Sequence, residues 1–323
     1  MSIVSDMKTA VLALDGVFDS GLAAILDVLQ AANALRSEVE NPPQPWDVRT
    51  VGVRRRIRTG QGHHVDTESI ESGQAFDFLV LPALAERAPR ALLELVASPL
   101  HRPARRLIAE AREQGTALAS SCTGTFLLAE SGVLNGLQAT TSWWLSPVFR
   151  QNYPAVTLDE TRLVTTSDGI TTAGAAFSHL DLALALVRMR SPVLADLVRR
   201  FMVMDDRESQ AAYAIPSALA QCDPLVSAFE TWVRGRLGQP LSVSEAARDL
   251  GVSERTLQRT MARTLGCTPV RFIQDLRIER ATFLLRTTRL PLSEIAGRVG
   301  YESSGALRSV LRRRGTGSRD QRP

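Results

Sequence analysis

One cysteine stands where an apolar run, Ala117-Leu118-Ala119, gives way to a turn of small residues, Ser120-Ser121-Cys122-Thr123-Gly124. From Thr125 to Ser131 the pattern turns amphipathic. This order predicts strand, sharp corner and helix, with the Cys122 thiol at the apex. A helix N-terminus favours negative charge there and can lower a thiol pKa. Three chemistries follow: a thiolate nucleophile, a thiol that oxidises, and a backbone corner that binds an anion. A nucleophile needs a base, usually histidine, and a group to orient it. The chain has four histidines. His63 and His64 fall in a hairpin-like stretch, His101 opens what reads as a surface helix, and His179 sits on a long helix that can approach the corner.

The second set of chemically loaded residues is at the other end of the chain. Residues 225–323 hold 18 Arg and no Lys against 9 acidic residues, a net of +9, whereas residues 1–224 hold 20 basic and 25 acidic residues, a net of −5. A basic third behind an acidic body suits a polyanionic partner. The basic third also carries a repeated pattern. In "LSVSEAARDLGVSERTLQRTMARTLG", Ser242 or Ser244 caps a helix, Gly251 makes the turn, and Ser253 caps a second helix. Burial of Leu257 and Met261 leaves Glu254, Arg255, Gln258, Arg259 and Arg263 outward. "LPLSEIAGRVGYESSGALRSVLRRR" repeats the logic with Ser293, Ile295, Ala296, Val299 and Gly300, and its second helix runs from about Ser303 to Arg314. These are two helix-turn-helix units, each offering a helix to a DNA major groove. Arginine suits guanine and glutamine suits adenine. The stretch between them, "TPVRFIQDLRIERATFLLRTT", has helical spacing over about 20 residues, roughly 30 Å, close to the ~34 Å of one DNA turn.

The elements that must position these residues divide the chain. Residues 9–200 alternate continuous apolar strands ("TAVLALDG", "FDFLVLP", "TALASSC") with amphipathic helices ("GLAAILDVLQAANALRSEVE", "PARRLIAEAREQG", "GAAFSHLDLALALVRMR"). That alternation predicts a mostly parallel sheet with helices on both faces, whose ligands sit at the carboxyl ends of strands. Residues 205–224 lose periodicity and read as a linker. Beyond them the pattern is wholly helical. The domains expected are thus 1–204, a linker 205–224, and 225–323. No apolar run approaches the ~20 residues of a membrane span, and Met1–Gly16 lacks the basic and small-residue features of a secretion signal. Cys122, Cys222 and Cys267 are odd in number, far apart and without metal-ligand spacing. A reduced cytoplasm suits them, and nothing calls for a metal or cofactor.

The stretches "GVSERTLQR", "LRIERATFLL" and "LSEIA" and the "VGY-E-S" run resemble the DNA-binding domain of AraC/XylS-type transcription regulators. The resemblance implies that exposed positions of both reading helices touch DNA. In the first helix these are Arg255, Gln258 and Arg259, with Ser253, Glu254 and Arg263 beside them. In the second they are Gly305, Ala306 and Ser309, with Ser304 and Arg308. The second helix departs from the family pattern: Ser309 stands where a basic residue is usual, and Leu307 and Leu311 replace aromatics. Arg308, Arg312 and Arg313 then serve as phosphate contacts, so the second head positions more than it reads.

The body, through "ASSCTGTFLLAESGVLNG", "ATTSWW" and "DGITTAGAAFSHLDLALALV", resembles the class I glutamine amidotransferase-like (PfpI-type) domain, a flavodoxin-like α/β sandwich. Catalytic relatives carry a histidine after "A-T-T", where this chain has Ser142, and an acid aligned near Gly21, with Asp19 the nearest carboxylate. The resemblance therefore implies a sensing and dimerising module. Its ligand site comprises Cys122, Thr123, Gly124, Ser142 and Trp143, with Trp144 beside them. The N–H groups of Thr123 and Gly124 suit a carboxylate and the indoles suit a cation, so a small zwitterion, such as an amino acid or a betaine, fits both ends. The expected whole is a cytoplasmic, homodimeric, non-enzymatic regulator that binds double-stranded promoter or operator DNA under a small-molecule effector. A cysteine-dependent PfpI-type hydrolase or amidotransferase-like enzyme, or a thiol redox sensor, is the alternative.

Overall fold

A computed structural model describes residues 6–69, 75–205, 207, 209–210 and 223–313. The chain forms two units. One comprises the chain up to Leu145 together with Tyr153–Gln210, and the other Ser146–Asn152 together with the chain after Gln210.

In the first unit, β1 (Met7–Leu12) leads into α1 (Asp19–Leu35) and β2 (Trp46–Gly52). A small hairpin, β3 (Arg56–Arg58) and β4 (His64–Asp66), and the short β5 (Glu68–Ser69) come next. Then follow β6 (Phe78–Leu81), α2 (Pro89–Ala97), α3 (Arg102–Glu113), β7 (Ala117–Ser121) and α4 (Gly124–Glu130). The unit continues through β8 (Gln138–Ala139), which is separated by α5 (Ser146–Asn152) from β9 (Thr157–Leu158), and ends with β10 (Val164–Ser167), β11 (Ile170–Ala173), α6 (His179–Arg190) and α7 (Pro192–Phe201). Seven strands form one sheet in the order β10-β11-β7-β6-β1-β2-β5, and only the β10–β11 pair is antiparallel. β6 and β7 are four-residue and five-residue strands with all but one side chain buried. Continuous apolar runs of that kind need cover on both faces. On one face α1, α6 and α7 bury Ile25, Val28, Leu29, Leu182, Leu186 and Val198 against Val11, Val80 and Ala119. The mostly parallel, helix-covered sheet expected from the alternation is present.

Two local findings differ from the sequence reading. His101 is buried, 2% exposed, because a short 3-10 turn at Pro99–His101 folds it inward. Its Nδ1 lies 2.9 Å from the Leu95 carbonyl oxygen, and burial lowers its pKa. Ser209 and Gln210, expected in the linker, are held by the first unit: the Ser209 hydroxyl donates to the Thr161 carbonyl at 2.7 Å, and the Gln210 side chain is 1% exposed. Residues 211–222, with Cys222, and the basic run from Arg314 onward lie outside the described residues.

In the second unit, α8 (Pro224–Arg234) begins at Asp223, whose carboxylate accepts from the N–H of Leu225 at 2.9 Å. After it come α9 (Val243–Asp249), α10 (Glu254–Leu265), α11 (Pro269–Thr287), α12 (Leu292–Arg298) and α13 (Ser304–Arg313). Gly251 (φ 70°) and Gly300 (φ 77°) make the two inter-helix turns in the left-handed region, where a side chain is strained. Two separate cores result. Val226, Phe229, Val233, Leu257 and Met261 pack with Phe272 and Leu276 from the first half of α11. Ile278, Ala281 and Leu284 from its second half pack with Ile295, Val299 and Leu307. The 19 residues of α11 thus span about 28 Å at 1.5 Å each and belong to both heads. Among the described residues, no helix is long and apolar enough to cross a membrane.

Candidate functional site

β7 ends on Ser121, and the next residue, Cys122, takes φ 55°. A non-glycine residue in that region is strained and persists only where its surroundings hold it. Here they do. The Cys122 N–H donates to the Ala173 carbonyl at 2.8 Å, and the Cys122 carbonyl accepts from the Thr141 hydroxyl at 2.7 Å and from the Thr125 N–H at 3.3 Å. α4 then starts at Gly124, where a β-carbon would lie 2.8 Å from the Pro82 carbonyl oxygen. Thr123 locks the loop after β6: its hydroxyl accepts from the Leu84 N–H at 2.8 Å and donates to the Leu84 carbonyl at 2.7 Å.

The structure brings Ser142 to the thiol. Its hydroxyl donates to Cys122 Sγ at 2.8 Å, and both residues are buried, at 0% and 5% exposed. Burial pushes the thiol pKa up. The Ser142 hydroxyl, the N–H and hydroxyl of Thr123 and the charge of Arg87 pull the other way without reversing it. A serine hydroxyl is not a base near neutral pH, so Ser142 does not stand in for the histidine that activates a cysteine nucleophile.

His179 does not supply the missing base. Its Nε2 accepts from the Ala83 N–H at 3.1 Å, its Nδ1 donates to the Ala176 carbonyl at 3.0 Å, and Phe18 stacks on the ring with centroids 6.0 Å apart. Both ring nitrogens are used, and burial pulls its pKa down to about 4. The acid near Gly21 is also absent. A β-carbon at Gly21 would lie 2.7 Å from His179 Cε1, so the imidazole fills the space that an acidic side chain there would need. Asp19 turns to the β3–β4 hairpin instead. Against the cost of burial, hydrogen bonds from His63, Thr59 and the Gln61 N–H hold its carboxyl below the usual range.

Trp143 and Trp144 are half-buried, with rings edge to face and centroids 5.5 Å apart. The five residues expected to form the ligand site therefore lie on two segments, Cys122–Gly124 and Ser142–Trp143, joined by the Ser142–Cys122 and Thr141–Cys122 bonds. Two further residues escaped the sequence reading. Arg87, on the loop after β6, is exposed, and its charge reaches the thiol. Its position at the carboxyl end of a parallel strand was the available signal. Gln210 binds the Ser142 segment directly: its Oε1 accepts from the Trp143 N–H at 3.1 Å and its Nε2 donates to the Thr141 carbonyl at 2.8 Å. Nothing in the aperiodic sequence around it signals this. Among the described residues no cluster of His, Cys, Asp or Glu could hold a metal.

In the second unit α10, the first of the two helices expected to meet DNA, is capped by Ser253, whose hydroxyl accepts from the Thr256 N–H at 3.0 Å. Glu254, Arg255, Gln258, Arg259 and Arg263 are all exposed, as expected. They are not equivalent. Arg263 pairs with Asp223 at 3.4 Å, which draws it back toward its own domain. Gln258 Nε2 donates to Glu254 Oε1 at 3.0 Å, which ties it to its own helix. On α13, Gly305, Ala306 and Arg308 are exposed and Ser304 and Ser309 half-buried; Leu307 and Leu311 are core residues. The Ser303 hydroxyl accepts from the Ala306 N–H at 3.2 Å and caps this helix. Arg312 is exposed, and the Arg313 side chain lies outside the described residues.

Comparison with known proteins agrees with this division. Residues 7–189 match the DJ-1/PfpI family and residues 246–315 match a helix-turn-helix domain of AraC type. The chain is 27% identical over 203 residues to the HTH-type transcriptional regulator GbdR of Pseudomonas aeruginosa, covering 61% of this chain and 54% of that protein. It is 28% identical over 215 residues to the HTH-type transcriptional regulator CdhR of the same species, covering 64% of this chain and 62% of that protein. The aligned stretch is thus little more than half the length of these relatives. Among solved structures, an AraC family transcriptional regulator from Pseudomonas putida is similar in fold, with a TM-score of 0.50 at 19% identity, over 60% of this chain and 98% of that one.

Proposed function

We propose that this chain, which belongs to the DJ-1/PfpI family, is a sequence-specific DNA-binding transcription regulator governed by a small molecule at the Cys122–Ser142 corner. The observation that carries the DNA part is the first reading helix. Arg255 and Arg259 stand exposed one turn apart on a serine-capped helix, in a tail whose sequence carries a net charge of +9. Bidentate arginine–guanine contacts need exposed guanidinium groups that no acid claims. The relatives named HTH-type transcriptional regulators support the same reading.

The ligand part rests on chemistry at the corner. Arg87 is exposed on the loop after β6, at the carboxyl end of a parallel strand, and its charge opposes the effect of burial on the thiol, while Trp143 and Trp144 supply half-buried indole faces. A small zwitterion satisfies both. Contact with Cys122 itself requires the covering segment to move, because thiol and hydroxyl are buried. The body acts without turnover in this reading: the thiol's partner is a hydroxyl, and the His179 ring is held at both nitrogens by the Ala83 and Ala176 backbone. Two copies presenting two tails, in the cytoplasm where the DNA is, complete the proposal.

The test is selection of genomic DNA fragments by the full chain at two salt concentrations, for wild type and for Arg255→Ala/Arg259→Ala. A discrete enriched site is expected, with affinity falling as salt rises. The double substitution should weaken it by about 30-fold or more, since each bidentate base contact is worth at least ~1 kcal/mol. Equal, loose binding to all fragments by both proteins overturns the reading.

A further inference from the structure

The last described residue of the first unit, Gln210, is bound into the segment that holds Ser142 on Cys122. Its Nε2 lies 2.8 Å from the Thr141 carbonyl oxygen, 3.2 Å from Thr140 Oγ1 and 3.3 Å from the Arg162 carbonyl oxygen, while its Oε1 accepts from the Trp143 N–H at 3.1 Å. The side chain is 1% exposed. The fold makes room for it: a β-carbon at Gly174 would stand 2.7 Å from the Gln210 Cδ and 2.7 Å from the Thr141 carbonyl oxygen. One amide thus contacts three of the four residues 140–143, and the fourth is Ser142.

The same segment is tied to the corner from its other side. Thr141 donates to the Cys122 carbonyl and Ser142 to the Cys122 sulfur. The chain arriving at Gln210 is held as well. Arg207 pairs with Asp181 and donates to the Phe177 carbonyl at 3.3 Å, Ser209 donates to the Thr161 carbonyl, and the Gln210 N–H donates to that same carbonyl at 3.1 Å. Residues 211–222 follow in sequence, before the helix at Pro224 that opens the DNA-binding domain.

We propose that Gln210 is a positioning residue that locks the Thr140–Trp143 segment onto the corner and thereby carries any displacement of Ser142 to residues 207–210, where the chain leaves the first unit. This deepens the proposed ligand site and rests on it for its biological use. The physical reason is cooperative. Buried polar networks are stable when fully paired and costly when half-paired. A molecule that pushes Ser142 off Cys122 must shift Thr141 and Trp143 too, and the Gln210 amide then loses its partners together. The network therefore has two discrete arrangements, closed and released, which is what a ligand needs in order to bias an equilibrium.

The test uses the full chain and hydrogen exchange read in peptides carrying 140–143 and 207–210. Gln210→Glu keeps an acceptor for Trp143 but cannot donate; it should speed exchange in 140–143 by about tenfold or more. Ser142→Val forces a branched apolar group into the buried corner and should speed exchange at 207–210 by a similar factor. In the double variant the two effects should not add, because each releases the same network. A plain packing role for Gln210 predicts additive effects, and that result, or unchanged exchange at 207–210 in Ser142→Val, overturns the proposal. If Gln210→Glu does not fold, the Ser142→Val arm decides alone. Separately, glycine betaine and the twenty amino acids are titrated into wild type by calorimetry. A probe that binds and changes exchange in both segments supports the proposal, and one that binds the corner and changes neither overturns it. Failure of every probe counts against the ligand reading of the corner and leaves the variant comparison to judge Gln210.

Discussion

Replacing Gly21 by alanine sets helix propensity against packing, and the two predict opposite signs. Gly21 is the third residue of α1, where alanine should gain up to ~1 kcal/mol. The added methyl, however, would stand 2.7 Å and 2.8 Å from Cε1 and Cδ2 of His179, and closer still to Nε2. The ring is 1% exposed, held at both nitrogens and stacked on Phe18, so it cannot swing aside freely. Moving it breaks the Ala83 N–H···Nε2 bond and strands a buried donor, at ~1–3 kcal/mol, on top of ~1–3 kcal/mol for overpacking. The net expectation is destabilisation of about 3 kcal/mol, a fall of roughly 6–12 °C in the unfolding temperature of a unit of about 200 residues. Because the chain has two units, a single transition cannot be assumed. Unfolding in urea is therefore followed by hydrogen exchange in peptides from α1. His179→Ala in the Gly21→Ala background should cost less than the two changes summed, by ~1 kcal/mol or more. If Gly21→Ala is as stable as wild type or more so, His179 does not occupy the space opposite Gly21 and the argument fails.

Three further predictions follow from the geometry. The pKa of His179 is lowered from about 6.5 unfolded to about 4 folded, so its contribution is complete above pH 6.5 and is lost as pH falls toward 4; near pH 5 the loss is ~2 kcal/mol. His101 is shifted in the same direction. Urea midpoints of the first unit should fall over that range, and His179→Asn should shrink the fall. A flat profile from pH 7 to 4.5 would contradict the burial of both rings. Cys122 is buried with a raised pKa whereas Cys267 is half-exposed, so iodoacetamide at pH 8 should label Cys267 first by at least about tenfold, read by peptide mass mapping; preferential labelling of Cys122 would mean an open, activated corner. Finally, the Glu254 carboxylate takes one of the two N–H donors of the Gln258 amide and so competes with the two-point contact glutamine makes with adenine. Glu254→Ala should therefore shift the base selected opposite Gln258 toward adenine in randomised DNA, and an unchanged selected sequence would show that the pair separates on DNA.

Much of this was legible in the sequence, and the reasons are physical. Strands buried on both faces read as unbroken apolar runs, so β1, β6 and β7 were visible, and so was the corner that must follow β7. Paired helix-turn-helix units announce themselves through a cap, an apolar stripe and a glycine turn at fixed offsets. The contact between Ser142 and Cys122 was reachable only through resemblance, because twenty residues separate them. Gln210 was not reachable at all: its role depends on three tertiary acceptors and on the absence of a side chain at Gly174, none of which leaves a periodic trace. His101 misled because the proline-led turn that folds it inward, Pro99–His101, is too short to show a stripe.

The division of the tail into two cores has a consequence for its evolution. α11 lends Phe272 and Leu276 to one core and Ile278, Ala281 and Leu284 to the other. Each head thus has a core of its own, joined to the other through one continuous helix. The second head has room to drift: α13 holds its core with Leu307 and Leu311, its first outward positions are only Gly305 and Ala306, and the exposed side chains that follow, Arg308 and Arg312, suit phosphates rather than bases. Selection on the DNA should mirror that asymmetry. If the proposed DNA reading holds, the sites this chain selects should keep their letters under the first head and vary under the second, where Arg308 and Arg312 suit phosphates.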